Sequence, residues 1–461
     1  MMKGYLTVFL SLSLSVLAGF VLLLIGHTIQ NAGKIRLEGD VDIGMNSVLA
    51  EFSIPLHDRY DLLYIDASYL DKTPSVSNME DRLSFYIRAN SESDLQQRPW
   101  GDIRLKSIAI SGLHTAAEGM GNSMKYQAVQ FMEDSGIIRP ETELFGDPGR
   151  ITALERDNAF GEWSALQEQI AGMELPTIQN EVGEWEEVAL GNPADRIFGF
   201  LGSDVLFLLG VDREGLGAGR IQDGYISERK PENMRGIPWK KADDGLFLAY
   251  LFEKMGNYGR EREGSFLKLQ LEYIVQGQKS DYENLAGVAG KLVAWRFAAN
   301  AKKIFGDGGM YGEASAAAMA LRAVQLDMAF YQPVTRSILY ACAYLEALAD
   351  VKCLLEGGRI EIEKQGWSTG IESVLEGAIP GAAPSEQGGL GYEQYLACML
   401  RLLAEGTRNL RSMDIMEMDI RYLSGNPRFA MDWCVEKYTA EITAFGGWNN
   451  VYSLKRTYGY Y

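Results

Sequence analysis

From Tyr5 to Gly26 the chain runs for 22 residues without a charge, YLTVFLSLSLSVLAGFVLLLIG. Coiled as an α-helix, this stretch is about 33 Å long, enough to cross the roughly 30 Å hydrocarbon core of a bilayer. A secretory signal also has a basic start and an apolar run. That run is usually about 7–15 residues, however, and no A-x-A cleavage pattern follows here. A retained single-pass span is expected, with residues 5–26 in the lipid of the cell membrane. Lys3 lies on one side, and Lys34 and Arg36 lie on the other among Glu38, Asp40 and Asp42, so basic residues alone do not fix the orientation. A short tail before the span and a large acidic body after it favour an extracytoplasmic body.

Thr7, Ser11, Ser15 and Gly19 recur every four residues and form one small-residue stripe on that helix. Such stripes let transmembrane helices approach closely, so a homo- or hetero-oligomer through this face is expected. The competing reading is that the hydroxyls bond back to their own helix carbonyls. Past the span, Leu37, Val41, Met45, Val48 and Phe52 keep near-helical spacing until Pro55. Gly33, Gly39 and Gly44 weaken this stretch by up to about 1 kcal/mol each. A spanning helix that becomes an amphipathic stalk and docks on its own body is expected over residues 1–52.

Net charge is −18 over 461 residues, which repels a phosphate backbone and argues against a nucleic-acid partner. A composition that is 47% hydrophobic and 23% charged excludes a polytopic membrane protein and a disordered chain. The expected class is α+β. Residues 53–245 read as a mixed α/β exported region, with strand candidates at 62–65 and 103–112, a helix candidate over 115–134 and another near 159–172. VLFLLGV at 205–211 has the length of a buried strand. From 246 to 430 the period is helical. LFLAYLFEKM and FLKLQLEYIV come first, and Ser280-Asp281-Tyr282-Glu283 then forms a capping box ahead of a helix burying Leu285, Val288, Leu292 and Trp295. Further helices are expected over 313–331, stopped by Pro333, over 335–356, closed by Gly357, and over 391–423. Residues 431–461 read as a β-hairpin turning at GGWNN.

Chemistry-bearing residues are sparse. The three histidines are His27, His57 and His114. His57 sits beside Asp58, but no G-x-S-x-G elbow supports a catalytic triad, so it reads as a loop histidine. Gly215, Gly217 and Gly219 lack dinucleotide-loop spacing, and Gly287-Val288-Ala289-Gly290-Lys291 lacks that of a phosphate loop. Acidic runs such as Glu184, Glu186 and Glu187, or Glu361 and Glu363, read as solvated faces, although a glycosidase pair can lie anywhere in a sequence. Neither a calcium loop nor a Cys/His cluster has metal spacing, so neither metal nor cofactor is expected. Cys342 and Cys353 lie about 16 Å apart on one expected helix, too far to pair with each other. Cys398 and Cys434 leave cross-helix disulfides open beside buried free thiols. Tyr458, Tyr460 and Tyr461 form a docking edge or one face of a strand.

A Lys-Gly pair directly before a long apolar helix that continues amphipathically into a body resembles type IV pilins and pseudopilins. It is most similar to TadE/TadG-like envelope proteins of tight-adherence (Tad, or Flp) pilus systems. Over nearly its full length the chain resembles an uncharacterised membrane-anchored family often associated with such systems. The matching stretches are KGYLTVFLSLSLSVL at 3–17, YDLLYIDASY at 60–69, LQLEYIVQGQKSDYENL at 269–285 and LEALADVKCLLEGG at 345–358. The resemblance implies a processing site at Gly4 and Tyr5. Pilins typically carry glutamate at the fifth residue after the cleavage point, where this chain has Phe9. The implied role is therefore a minor or assembly-associated component that works through contacts with other envelope proteins and catalyses nothing. A surface-anchored hydrolase and a secreted binding or adhesin module are the alternatives.

Overall fold

The computed structural model describes residues 2–70, 72–92, 103–136, 148–174, 177–179, 182–187, 191–229, 242–320, 328–364, 366–381, 388–446 and 450–460. The architecture is α+β, with one long N-terminal apolar helix, a mainly helical body and a C-terminal hairpin. The chain divides into two units built from separated segments. The first comprises Met1–Asp134, Gly224–Asp243 and Met413–Tyr461; the second comprises Ser135–Asp223 and Asp244–Ser412.

In the first unit, the helix Met2–Leu49 is continuous for 48 residues. Large apolar side chains from Tyr5 to Ile25 are exposed, whereas Leu37, Val41, Met45, Val48 and Leu49 are buried. They pack against one face of an antiparallel sheet whose central strand is Cys434–Phe445. Arg104–Thr115 pairs along one side of it; Val451–Gly459 and, past its end, the short Ile65–Asp66 pair along the other. Alternation decides the inner face: Tyr438, Ala440, Ile442 and Ala444 point to the helix and are buried, with Tyr452 and Leu454 beside them. The helix Val76–Glu92 adds Met79, Leu83 and Ile87 to the same core.

Three tyrosines pin the stalk to the sheet through helix carbonyls. Tyr452 donates to Gln30 O at 3.1 Å, Tyr438 to Met45 O at 3.2 Å, and Tyr460 to Leu49 O. From Gln30 to Leu49 the helix rises about 28 Å, and from Tyr452 to Tyr460 a strand covers about 27 Å. Helix and strand therefore run side by side in the same direction, with the hairpin turn at the end nearest the apolar span. Gly33 and Gly44 are small for a reason of packing. A Cβ on Gly33 would meet Tyr452 Oη at 2.7 Å, and one on Gly44 would meet Ile87 Cγ1 at 2.9 Å.

The second unit is helical around Asp281–Ile304 and Met328–Leu355, with Ala159–Ala171 packed on both through Trp163, Phe297, Tyr340 and Tyr344. Ser280 caps the first of these, accepting from Glu283 N at 3.3 Å, and Leu285, Val288, Leu292 and Trp295 are buried as the periodicity predicts. Gly357 closes the second at φ +88°, its N–H donating to Leu354 O at 3.1 Å.

Several expectations need correction. The N-terminal helix ends at Leu49; Pro55 does not break it but opens the next helix, Ile54–Tyr60, where its missing N–H has no helical partner to lose. Residues 205–209 are helical, not a strand: Asp204 accepts from Leu206 N at 3.0 Å at one end and Gly210 turns left-handed at the other. Of 62–65, only Ile65 joins a strand. The main chain of Leu63 is instead met on both sides by the amide of Gln127, at 3.0 and 3.1 Å, which substitutes for a neighbouring strand. The strand expected to end at Gly112 continues to Thr115, because Gly112 adopts φ +58° within a bulge.

The helix expected from 115 begins at Glu118 and carries left-handed residues at Gly119, Met120 and Gly121. Pro333 does not stop a helix. It lies in the second turn of Met328–Leu355, where few backbone bonds are at stake; residues 321–327 of the expected 313–331 helix lie outside the described residues. The helix expected over 391–423 is two, Tyr392–Leu402 and Glu405–Ser424. The chain turns extended at Leu403, and Arg408 donates to Leu400 O at 3.0 Å, satisfying the first helix's end.

Candidate functional site

In the first unit a pocket of about 480 Å³ opens beside the end of the stalk. One wall is the connection Glu51–Pro55; another is the turn around Asp66, Tyr69, Leu70 and Lys72. Arg82 comes from Val76–Glu92, and Ile420, Ser424, Asn426 and Phe429 complete it. The turn is held by side chains in place of regular structure. Asp66 accepts from Ser68 N at 2.9 Å, Ser68 Oγ at 2.7 Å and Asn426 Nδ2 at 3.0 Å, while Asn78 donates to Ala67 O and Thr73 O, both at 2.9 Å. Burial pushes the Asp66 carboxyl up, against the pull of those hydrogen bonds. Tyr69 and Leu70 both adopt left-handed backbone, φ +47° and +79°. For residues with a Cβ this costs roughly 1–2 kcal/mol each, and such strain concentrates at functional turns.

Arg82 forms the charged side. Its guanidinium pairs with Glu51, which also accepts from Tyr86 Oη at 2.7 Å, and it lies 5.4–5.8 Å from the ring centres of Tyr69, Phe85 and Tyr86. The rim is apolar: Ile54 is 62% exposed and Leu70 is 67% exposed. Both pocket carboxylates are thus committed to partners. What the arrangement offers a visitor is a mostly apolar surface with a stacked, neutralised guanidinium and the exposed Lys72 in its wall, which suits capture of a peptide side chain.

Elsewhere, buried charges cluster as structural hubs. In the second unit Asp350 accepts from Arg296 Nε at 2.9 Å, Asn300 Nδ2 at 3.0 Å and Lys364 Nζ at 2.7 Å; Glu346 holds Lys364, Ser368 N and Thr369. Two cations balance two carboxylates, and the group fixes the loop after Met328–Leu355. In the first unit Arg229 joins Asp414 and Asp432, while Glu417 accepts from Ser227 N and Oγ, both at 2.7 Å. Glu272 is fully buried. Its Oε1 accepts from Tyr258 N at 2.8 Å and Tyr392 Oη at 2.7 Å, and Oε2 has no hydrogen-bond partner. Burial raises this carboxyl to about 7.

A family of unknown function, DUF5702, matches residues 183–445, more than half of the chain. The chain belongs to that family. No curated protein and no solved structure matches it. The DUF5702 match takes in Glu272, both buried charge clusters and the Asn426–Phe429 side of the pocket. The N-terminal helix and the Asp66–Leu70 turn lie before it.

Gly4, Tyr5, Thr7, Ser11, Ser15 and Gly19 all lie on the first two-fifths of the N-terminal helix of this DUF5702 protein. Ser15 donates to Ser11 O at 2.8 Å, so its hydroxyl is used within the helix, and nothing stands within 4 Å of a Cβ on Gly19. His27 is exposed. His57, half-buried, lies 3.5 Å from the exposed Asp58, and His114 contacts Glu118 at 3.1 Å. Gly217 and Gly219 are packing positions: a Cβ would collide with Asp281 Oδ2 at the first and with Phe266 O at the second. Glu184 is exposed, while the side chains of Glu186 and Glu187 lie outside the described residues. Glu363 pairs with Lys303 at 3.5 Å on the surface. The four cysteines are buried free thiols, and burial pushes that of Cys342 up to about 12. Tyr460 serves the stalk, and Tyr461 lies outside the described residues.

Sequence reasoning missed the pocket, because its walls come from four separated segments. It also missed the hubs. The signal was there for one of them: Glu346 and Asp350 stand four apart in the mostly apolar AYLEALADVKCLL, and on a face that is buried an unpaired charge is not tolerated.

Proposed function

We propose that this DUF5702 protein is a single-pass, membrane-anchored envelope component whose extracytoplasmic body works through protein–protein contacts. In keeping with its resemblance to TadE/TadG-like proteins, it serves tight-adherence pilus assembly as a pseudopilin-like or scaffold part. The observation that carries this reading is the unbroken helix Met2–Leu49, apolar and exposed in its first half and buried against the sheet in its second. Such a rigid rod couples lateral packing in the bilayer to the position of the body. The pocket beside its far end supplies a surface of the right size and chemistry for a partner's side chain. Since Ser15 spends its hydroxyl inside the helix, lateral packing draws on small size more than on interhelical hydrogen bonds.

Replacing Ser11, Ser15 and Gly19 with leucine is the test. Complexes extracted from native membranes should lose their membrane partners, and unchanged co-purification would overturn the packing role. The N-terminal residue of the extracted protein separates the two variants of this reading. A start at Tyr5 means prepilin-type processing; a start at Met1 or Met2 means a permanent anchor and a static scaffold.

A further inference from the structure

The direction of the terminal hairpin puts its turn beside the apolar span. Tyr452 meets the helix at Gln30 and Gly33, and Gln30 is four residues, about 6 Å, past Gly26. The polar layer of a bilayer adds about 5–8 Å beyond the hydrocarbon on each side. At this same end of the sheet, Phe445 is 37% exposed and Val451 is 59% exposed, directly opposite each other in register. Arg104 pairs with Phe445 on the other side, and the Lys106 ammonium stands 5.2 Å from the Phe445 ring centre. Apolar side chains flanked by cations, in a chain of net charge −18, are what an anionic lipid surface accepts and what a purely soluble edge has no need of.

We propose that this end of the hairpin, through Phe445, Val451 and Lys106, sits in the anionic headgroup layer of the same bilayer that the N-terminal helix spans. The body is then held to the lipid at two places, which fixes its tilt. This rests on the single-pass reading. The three tyrosine hydroxyls that lock strand and helix together make the second contact a necessary companion of the first, because the hairpin cannot swing away while Tyr452 remains on Gln30.

The test uses the full chain in vesicles of anionic phospholipid. Because the four native cysteines are buried, Val451→Cys, Thr457→Cys and Leu14→Cys can each carry a fluorophore selectively. Thr457 is exposed on the same strand, about 20 Å further from the turn. Headgroup spin labels should quench the Val451 position several-fold more than the Thr457 position, and Lys106→Glu should reduce that difference. Spin labels deep in the acyl chains should quench the Leu14 position. Equal quenching at 451 and 457 with Leu14 quenched overturns the second contact alone. Loss of quenching at Leu14 overturns the single-pass reading and the second contact with it.

Discussion

The hydroxyl of Tyr452 donates to the carbonyl of Gln30 across 3.1 Å, although 422 residues of chain separate the two. Two glycines make room for the outer edge of its ring. A Cβ on Gly33 would meet the hydroxyl at 2.7 Å, and one on Gly446 would collide with Cε2. Both glycines make room for the same Cε2–Cζ–Oη edge, and this cradle attaches the stalk to the last strand by shape as well as by a hydrogen bond.

This predicts a reversal of sign. Helix propensity alone has Gly33→Ala stabilising by about 1 kcal/mol. Overpacking against Tyr452 costs about 1–3 kcal/mol, so the net effect in the native chain should be destabilising. With Tyr452→Ala already in place, Gly33→Ala should stabilise. Urea unfolding of the detergent-solubilised chain measures both, and additive effects would remove the cradle from the account.

Glu272 predicts a pH dependence in the second unit. Its folded pKa, about 7, is raised above the ordinary 4.5 by burial, with Asp281 adding to the effect and the Tyr392 hydroxyl and Tyr258 N–H opposing it. A raised carboxyl pKa means that the protonated form is the one the fold favours. The contribution is full below about pH 4.5 and is lost as pH climbs through about 7, amounting to roughly 3 kcal/mol. Melting temperature should therefore fall between about pH 5 and pH 8, and Glu272→Gln should flatten that slope. A slope unchanged by the substitution would assign it to other groups.

Two carboxylates near the same loop should behave differently. Asp350→Asn leaves the buried Arg296 and the largely buried Lys364 short of counter-charge and should cost about 3–5 kcal/mol. Glu363→Gln removes only the surface pair with Lys303 and should stay within about 0.5 kcal/mol. Comparable losses in denaturant melts would mean that the Arg296 cluster is far less committed than its burial implies.

At the pocket, Leu70→Gly should separate strain from binding. Leu70 is exposed and left-handed, so glycine removes roughly 1 kcal/mol of backbone strain and little buried surface. Stability should rise while capture of membrane-extracted partners falls. A variant that keeps its partners would take the rim out of the binding surface.

Much of the local architecture is written in short windows of sequence. The uncharged run Tyr5–Gly26, the periodicity through Val48, the Ser280 cap, the Gly357 stop and the hairpin signal before Val451 each depend on neighbours within a few residues, and all correspond to elements of the structure. Errors arose where local signals conflict. VLFLLGV has strand length, yet the Asp204 cap and Gly210 stop make it a helix; Gly112 resembles an ending, yet glycine also permits a bulge. Beyond that range only the tertiary structure decides. The burial of Leu37 and Met45 could be foreseen from spacing, but their partners, a strand more than 390 residues away, could not. The pocket, the Arg296 cluster and the unpaired oxygen of Glu272 likewise exist only when distant segments meet. Periodicity records which face a segment must bury, whereas the choice of what covers that face is made by shape and charge summed over the whole chain.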